Sequence, residues 1–289
     1  MNQHAASLRK LFGDYRFEWR HDDIGPLFVV PPYFDQLLDQ RPTFLVGGRG
    51  TGKTTALRSL RFDSASSPAQ KVTESALGLY IRLNKNRVRA FQDGGRSNSV
   101  WSRVFAHYFN LLAVIEFVQV CRLRLIIGGP DIIDLESAGS LARQFGIHGV
   151  NSVKHLEDSL EDLLTTLELY VNNTAVMQPP LLSAAEAPLR AIASVAKRAG
   201  RFVYCCIDEY ENLLDYQQGV LNTYIKHSES PLTYKVGVKR FGLRNRETSD
   251  SADLLVEPDD YSVVDLSTEG RSVHQFNCTI SSSPSWQCS

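Results

Sequence analysis

A glycine-rich segment between two apolar stretches contains the first residues that could do chemistry. Residues 47–54 fit the pattern G-x-x-x-x-G-K-[S/T], in which backbone N–H groups of a tight loop bind phosphate oxygens. Residues 44–46 before it predict a buried strand, and the residues from Lys53 onward predict a helix, which is the context that the pattern requires. Glycines suit such a loop because the backbone must approach phosphate closely in unusual conformations.

The side chains that close this loop have distinct predicted roles. Lys53 is expected to reach the β- and γ-phosphates of a nucleotide and to take part in catalysis, and the Thr54 hydroxyl to bind Mg²⁺. The alternative interpretation is an ordinary glycine turn between a strand and a helix. The predicted nucleotide-binding residues are Gly47, Gly48, Arg49, Gly50, Thr51, Gly52, Lys53, Thr54 and Thr55.

A second candidate site lies where an apolar run ends in two acids. Residues 201–207 predict a central parallel strand, and Asp208 and Glu209 follow at its carboxyl end. With a phosphate-binding loop upstream, Asp208 is expected to hold Mg²⁺ and Glu209 to polarise the attacking water. Without that loop, the same pattern would indicate only a strand that stops at acidic loop residues. Glu211 is a less favoured candidate because it lacks the adjacent-pair placement.

Basic residues follow a further predicted strand, residues 232–238. Arg240 is the predicted catalytic cation that senses the γ-phosphate, with Lys239 as a second candidate. Arg244 or Arg246 could act on a neighbouring subunit if the chain assembles. A plain basic loop explains these residues equally well.

Local patterns predict several other segments. Residues 77–84 predict a strand, and the basic residues 85–89 after it could contact phosphate or form a solvated loop. Residues 62–76 predict a loop, residues 182–198 and 212–227 predict helices, and residues 123–127 fit either a helix or a strand.

Composition excludes several other classes of protein. The chain has 289 residues, 43% of them hydrophobic, and a net charge of −1, so its overall charge does not attract nucleic acid. The five cysteines show neither a metal-binding nor a disulfide pattern. We find no N-terminal apolar segment and no apolar run long enough to span a membrane, which predicts a cytoplasmic protein without membrane contact. The guanine-specificity pattern N-K-x-D is also missing, which argues against a GTPase.

Together, the loop, the Asp-Glu pair and the following helix and strand resemble the AAA+ ATPases. Residues 31–60 and 207–244 look like the origin-recognition initiator branch, close to STAND-type signalling ATPases. The resemblance implies ATP and Mg²⁺ as ligands and slow ATP hydrolysis that serves as a switch. It also implies a partner protein, a second copy of the chain, or DNA as a partner. Bacterial proteins of this kind are associated with multi-gene systems that include anti-phage defence.

This resemblance implies an α/β fold, the three-layer P-loop NTPase sandwich with a central parallel sheet. Thr54 and Asp208 are 208 − 54 = 154 positions apart, which predicts a helical insertion at about residues 99–200. We expect an N-terminal lead-in at residues 1–30, the ATPase domain at residues 31–266 and a disordered tail at residues 267–289. Family members continue into a helical lid and, in initiators, a winged helix, and neither is seen here, which predicts a truncated product.

Two alternatives to a hydrolysing ATPase remain open at this stage. One is a nucleotide-gated binding module that does not hydrolyse ATP. The other is an initiator-like DNA-binding protein, against which the near-neutral charge counts.

Overall fold

Five parallel strands form the centre of the protein. The computed structural model describes residues 30–61, 75–92, 94–173 and 180–266. Within them, the sheet order is β2-β3-β4-β1-β5, and every neighbouring pair is parallel, which confirms the predicted fold class. The strands are β1 (Thr43–Val46), β2 (Ala76–Arg82), β3 (Phe202–Asp208), β4 (Leu232–Val238) and β5 (Ser262–Asp265).

Helices cover both faces of this sheet. Phe44 and Cys205 point into a large apolar cluster with the long helices, whereas Leu45 and Cys206 point into a smaller cluster with α1 and α2. Successive residues of β1 and β3 therefore contact opposite layers, as expected for strands buried on both faces. The helices are α1 (Phe34–Leu38), α2 (Lys53–Leu60), α3 (Lys85–Arg89), α4 (Asn98–Ile126), α5 (Leu135–Arg143), α6 (Val153–Asn172), α7 (Ala187–Arg198) and α8 (Asp215–Lys226).

Helix α4 is the core element of the large layer. The sequence left residues 123–127 undecided between helix and strand, and the structure continues the helix to Ile126 and ends it before Gly128, whose φ is +86°. By length and composition α4 could cross a membrane, so the expectation that no apolar run is long enough was wrong. However, most of α4 is buried inside the protein, as in a core helix.

The edge of the sheet at β2 is closed by side chains of α4. Glu116 accepts the backbone N–H of Tyr80 at 3.1 Å, and Arg124 donates to the carbonyl of Ala76 at 3.1 Å. Arg61 donates to the same Glu116 oxygen at 2.6 Å. These contacts occupy edge groups that would otherwise be open to another strand.

Three predicted segments differ from the structure. The basic residues 85–89, expected as a solvated loop or phosphate contact, form α3, because the Asn84 side chain accepts the N–H of Asn86 at the helix start. The helix predicted from Leu182 begins at Ala187, where Pro188 occupies the first turn. The helix predicted from Asn212 begins at Asp215, after a 3₁₀ turn. The predicted lead-in and tail, and most of the loop predicted at residues 62–76, lie outside the described residues.

A buried lysine anchors the chain where it enters β1. Lys235 on β4 is fully buried and donates to the carbonyls of Asp39 and Arg41 at 2.6 and 2.7 Å, and to the Thr43 hydroxyl at 3.1 Å. Burial lowers the pKa of Lys235 to about 8. Three oxygen acceptors thus replace the water that this ammonium group loses.

We predict that Gly78→Ala strongly destabilises the fold. A Cβ at Gly78 would lie 2.0 Å from the carbonyl oxygen of Leu60, so the end of α2 would have to move away from β2. We expect a loss of about 3 kcal/mol or more in the free energy of unfolding, measured by urea denaturation. Gly139→Ala on α5 is the matched control, because its Cβ would meet only the end of a flexible side chain at 3.5 Å. Equal stability of the two variants would contradict the packing of α2 on β2.

A buried histidine ties α4 to the segment before α7. His107 is 1% exposed, and its Nδ1 accepts the backbone N–H of Ser183 at 2.9 Å. Burial lowers the pKa of His107 to about 4. The folded protein therefore holds this ring neutral at a pH where the unfolded chain would protonate it.

We predict a pH-dependent stability that depends on His107. Between the pKa of His107 in the unfolded chain and about pH 4, the unfolded state binds more protons than the folded state. The contribution of His107 to stability is therefore fully present above the unfolded pKa and falls as the pH drops. From neutral pH to about pH 5, this residue should cost about 2 kcal/mol of unfolding free energy. His107→Leu should remove that part of the pH dependence in urea denaturation. An unchanged slope in the variant would show that His107 is not buried as described.

Candidate nucleotide-binding site

The glycine-rich loop runs from β1 into α2 in the conformation that phosphate binding needs. Gly50 and Gly52 have φ values of +80° and +87°, which favour glycine. Thr51 closes the loop by donating its hydroxyl to the carbonyl of Gly48 at 3.0 Å. No side chain caps the start of α2, so its first N–H groups are free to meet an anion.

Lys53 lies folded over this loop. Its Nζ donates to the carbonyls of Gly47 and Gly48 at 2.8 and 2.7 Å. Burial lowers the pKa of Lys53, while the negative charges of Glu211 and Asp208 act in the opposite direction. The ammonium group therefore lies between the loop and the acids at the end of β3.

The two predicted metal-binding residues meet at the carboxyl edge of the sheet. The Thr54 hydroxyl donates to Oδ2 of Asp208 at 2.7 Å, although β4 lies between β1 and β3. Asp208 is 2% exposed. A hydroxyl and a single carboxylate suit Mg²⁺, which takes its remaining ligands from water and phosphate. Among the described residues, no cluster of three or more acidic, histidine or cysteine side chains offers an alternative all-protein metal site.

The Glu209 carboxylate has other partners than the Asp208 carboxylate. The φ of Glu209 is +61°, and its N–H donates to Oδ1 of Asp208 at 2.9 Å. The Glu209 carboxylate accepts from Arg82 at 2.7 and 3.0 Å and from Asn212 at 3.0 Å. The acid expected to polarise water is thus paired with the end of the neighbouring strand β2.

Comparison with known proteins agrees with this geometry. The family model described as ORC-CDC6-like matches residues 10–280. The chain belongs to the ORC-CDC6-like family. This confirms the resemblance to the initiator branch of AAA+ proteins, and with it a nucleotide-binding protein of that type.

Other comparisons add little to the assignment. No curated protein matches the chain. Among solved structures, the bacterial conjugative coupling protein TrwBdeltaN70 in its unbound monoclinic form is 15% identical, and the match covers 71% of this chain and 64% of that chain. Its TM-score of 0.25 is too low to support an argument about this ORC-CDC6-like chain.

The two cations that follow β4 in this ORC-CDC6-like protein, Lys239 and Arg240, form separate ion pairs. Lys239 pairs with Glu211 at 3.0 Å, and both charges act on Lys53. Arg240 instead pairs with Asp265 at the end of β5, at 3.3 Å, and its side chain is 61% exposed. Arg240 as the catalytic cation stays a prediction, and Lys239 is the cation whose charge acts on Lys53.

Two other predicted basic groups already have partners within the chain. Arg244 donates to the carbonyls of Glu211, at 2.9 Å, and of Leu213, which holds it against the turn after β3. In the cluster at residues 85–89, Arg87 pairs with Glu168 at 3.7 Å. Arg244 or Arg246 as an arginine finger, and the cluster at residues 85–89 as a phosphate contact, stay predictions.

Sequence reasoning missed the β2 side chains that contact the two acids. The Tyr80 hydroxyl donates to Oδ2 of Asp208 at 2.8 Å, and Arg82 pairs with Glu209. Burial and the Asp208 charge raise the pKa of Tyr80, so its hydroxyl keeps its proton. Tyr80 and Arg82 are two residues apart, which puts both on the same face of a strand, and this spacing was a usable signal. Only the strand order, however, shows that β2 lies beside β3.

The protein also contains a cavity of about 370 Å³ that is separate from the phosphate-binding loop. It lies between α7, the end of α8 and the start of β4, and Leu189, Tyr224 and Tyr234 are among its lining residues. Since parallel strands carry their ligand sites at the carboxyl edge, this amino-edge cavity does not compete with the loop as a nucleotide site.

We predict that Lys53→Ala weakens nucleotide binding without unfolding the protein. Loss of one charge-assisted contact to phosphate should lower the affinity for MgATP about tenfold to a hundredfold in calorimetric titration. Lys197→Ala, an exposed lysine on α7 beside the separate cavity, is the matched control and should bind as the parent does. If Lys53→Ala bound as tightly as this control, residues 47–54 would not be the phosphate-binding loop.

Proposed function

We propose that the chain is a cytoplasmic Mg²⁺-dependent ATPase whose nucleotide state acts as a switch. The observation that carries this proposal is the 2.7 Å contact between Thr54 and Asp208. It joins the phosphate-binding loop to the strand that ends in the Asp-Glu pair, so nucleotide, metal and water would meet at one edge of the sheet. Family membership supports nucleotide binding, and hydrolysis is our inference from the acids.

ATP is the proposed nucleotide because the sequence has no N-K-x-D pattern to select guanine. Lys53 can exchange the carbonyls of Gly47 and Gly48 for phosphate oxygens, since its ammonium group donates to all of them in the same way. Thr54 and Asp208 would hold Mg²⁺, which would neutralise charge on the β- and γ-phosphates.

Glu209 would act as the general base. A water oxygen forms a bond to the γ-phosphorus, the bond from that phosphorus to the bridging oxygen breaks, and the water proton passes to the Glu209 carboxylate. The products are ADP and inorganic phosphate. Lys239, and Arg240 once released from Asp265, would stabilise charge on the departing phosphate.

The pairing of Glu209 with Arg82 sets a condition on turnover. While its carboxylate accepts hydrogen bonds from Arg82 and Asn212, Glu209 would be less available to accept a proton from water at the phosphate. The Arg82 side chain is 39% exposed, so a ligand or partner could reach it. We infer a slow ATPase whose rate depends on the release of Glu209.

The same contact favours a second candidate, a nucleotide-gated module without turnover. If Glu209 stayed paired with Arg82 in every state, ATP would be bound and not hydrolysed. In either case we propose a protein partner ahead of DNA, because a net charge of −1 gives no general attraction to nucleic acid.

We predict that Glu209→Gln slows ATP hydrolysis about a hundredfold or more while MgATP affinity is retained, because an amide cannot accept the water proton. Phosphate release and calorimetric affinity should be measured together on the same protein. Glu229→Gln, an exposed acid beside the separate cavity, is the matched control and should hydrolyse ATP as the parent does.

The other outcomes decide between the alternatives. A parent that binds MgATP but releases no phosphate would establish the gated module instead. If Glu211→Gln stopped hydrolysis and Glu209→Gln did not, the general base would be Glu211, the acid that pairs with Lys239.

A further inference from the structure

The carboxylate of Asp208 receives hydrogen bonds from three sides. Oδ2 accepts the hydroxyls of Thr54, at 2.7 Å, and of Tyr80, at 2.8 Å. Oδ1 accepts the backbone N–H of Glu209 at 2.9 Å. Two of these donors belong to segments that the nucleotide itself would engage, namely the phosphate-binding loop and the Asp-Glu pair. Tyr80 is the third donor, and it stands outside both segments.

Tyr80 is held firmly by contacts that do not involve the site. Its backbone N–H donates to Glu116 of α4 at 3.1 Å. Strand β2 pairs with β3 along its whole length, so Arg82 lies opposite Asp208 in the register and Tyr80 lies opposite Cys206. The guanidinium of Arg58 lies 5.9 Å from the centre of the Tyr80 ring. The hydroxyl is therefore presented to Asp208 from a fixed backbone.

Strand β4 limits the space on the other side of the Asp208 carboxylate. A Cβ at Gly237 would lie 2.9 Å from Oδ1 of Asp208 and 2.8 Å from Leu57 of α2, so this glycine leaves only enough room for the carboxylate. Tyr80 on one side and Gly237 on the other restrict how Asp208 can rotate. An acid held in one orientation binds a metal, or the water on a metal, with less loss of conformational freedom.

We propose that Tyr80 is a positioning residue that fixes the orientation of Asp208 for Mg²⁺. This inference rests on the proposed Mg²⁺-dependent nucleotide site. Thr54 is itself a proposed metal ligand, so its hydroxyl must serve both Mg²⁺ and Asp208. Among the described residues, the Tyr80 hydroxyl makes its hydrogen bond to Asp208 alone, and it keeps the carboxylate in place before the metal arrives.

The test is a comparison of Tyr80→Phe with Tyr204→Phe. Each change removes one hydroxyl that makes a hydrogen bond, since Tyr204 donates to the carbonyl of Leu38 at 2.7 Å, away from the metal site. The affinity for a fluorescent methylanthraniloyl-ATP is measured in EDTA and across a MgCl₂ titration. The melting temperature of each variant is recorded without nucleotide, to compare the structural cost of the two changes.

For Tyr80→Phe we expect the Mg²⁺ concentration at half-maximal effect to rise about tenfold, in the range found when outer-shell partners of metal ligands are removed. Its nucleotide affinity in EDTA should equal that of the parent, because the loop is unchanged. Tyr204→Phe should keep the Mg²⁺ midpoint of the parent, even if its melting temperature falls by as much as that of Tyr80→Phe.

Two results would overturn the inference, and a different one would overturn its basis. The same Mg²⁺ midpoint in Tyr80→Phe, Tyr204→Phe and the parent would show that Tyr80 has no role toward the metal. Equal shifts in both variants would show a general loss of rigidity instead. If Mg²⁺ had no effect on nucleotide binding by the parent, the proposed metal site itself would be wrong.

Discussion

The hydrogen bond between Thr54 and Asp208 is the constraint on which the site depends, because it joins helix α2, which follows β1, to the end of β3, a strand that is not a neighbour of β1. In the sheet order, β4 separates β1 from β3, so Thr54 and Asp208 must meet across the end of β4. They can do so because β4 has Gly237 at this level. A Cβ there would come within 2.9 Å of Asp208 and 2.8 Å of Leu57, so a larger residue would separate α2 from the acid. The site therefore depends on the small size of Gly237 as much as on its functional groups.

This arrangement places a nearly buried carboxylate without a direct ion pair. Asp208 has hydroxyl and backbone N–H donors, and no lysine or arginine contacts it among the described residues. Three donors compensate for part of the hydration that the carboxylate loses, but they bring no positive charge. A site that bound Mg²⁺ and phosphate, as proposed, would have this character, since a permanent cation partner would compete with the metal.

The sequence was sufficient to predict the parts of the fold that follow from local pattern. Residues 44–46 and 232–238 are strands as predicted, and the strand predicted at residues 77–84 is found at Ala76–Arg82, because apolar runs of this length fit a sheet covered on both faces. The sequence was insufficient where a contact with a distant segment determines where an element begins. Ser183 donates its N–H to His107, and α7 begins only at Ala187, beyond this contact, a delay that the helical pattern from Leu182 does not show.

Some functional residues could likewise be predicted from local motifs, whereas others could not. Lys53, Thr54, Asp208 and Glu209 stand in motifs whose spacing reports their chemistry, and the structure brings Thr54 and Asp208 into contact. The pairing of Arg82 with Glu209 could not be predicted, because it requires β2 to lie beside β3 and Glu209 to adopt a positive φ. Strand order is a property of the whole chain, and a single motif does not encode it.

Helix α4 links the predicted insertion to the site through the edge strand. Glu116 and Arg124 bind backbone groups of β2, the strand that presents Tyr80 and Arg82 to the two acids. With β2 fixed by α4 on one side and by β3 on the other, a shift of the strand would break contacts on both sides. Rotation of the half-exposed Arg82 side chain would break its pair with Glu209 and leave the pairing of β2 with β3 intact, so it is the easier route to release the acid. Helix α4 therefore limits which movements could release Glu209 in the proposed switch.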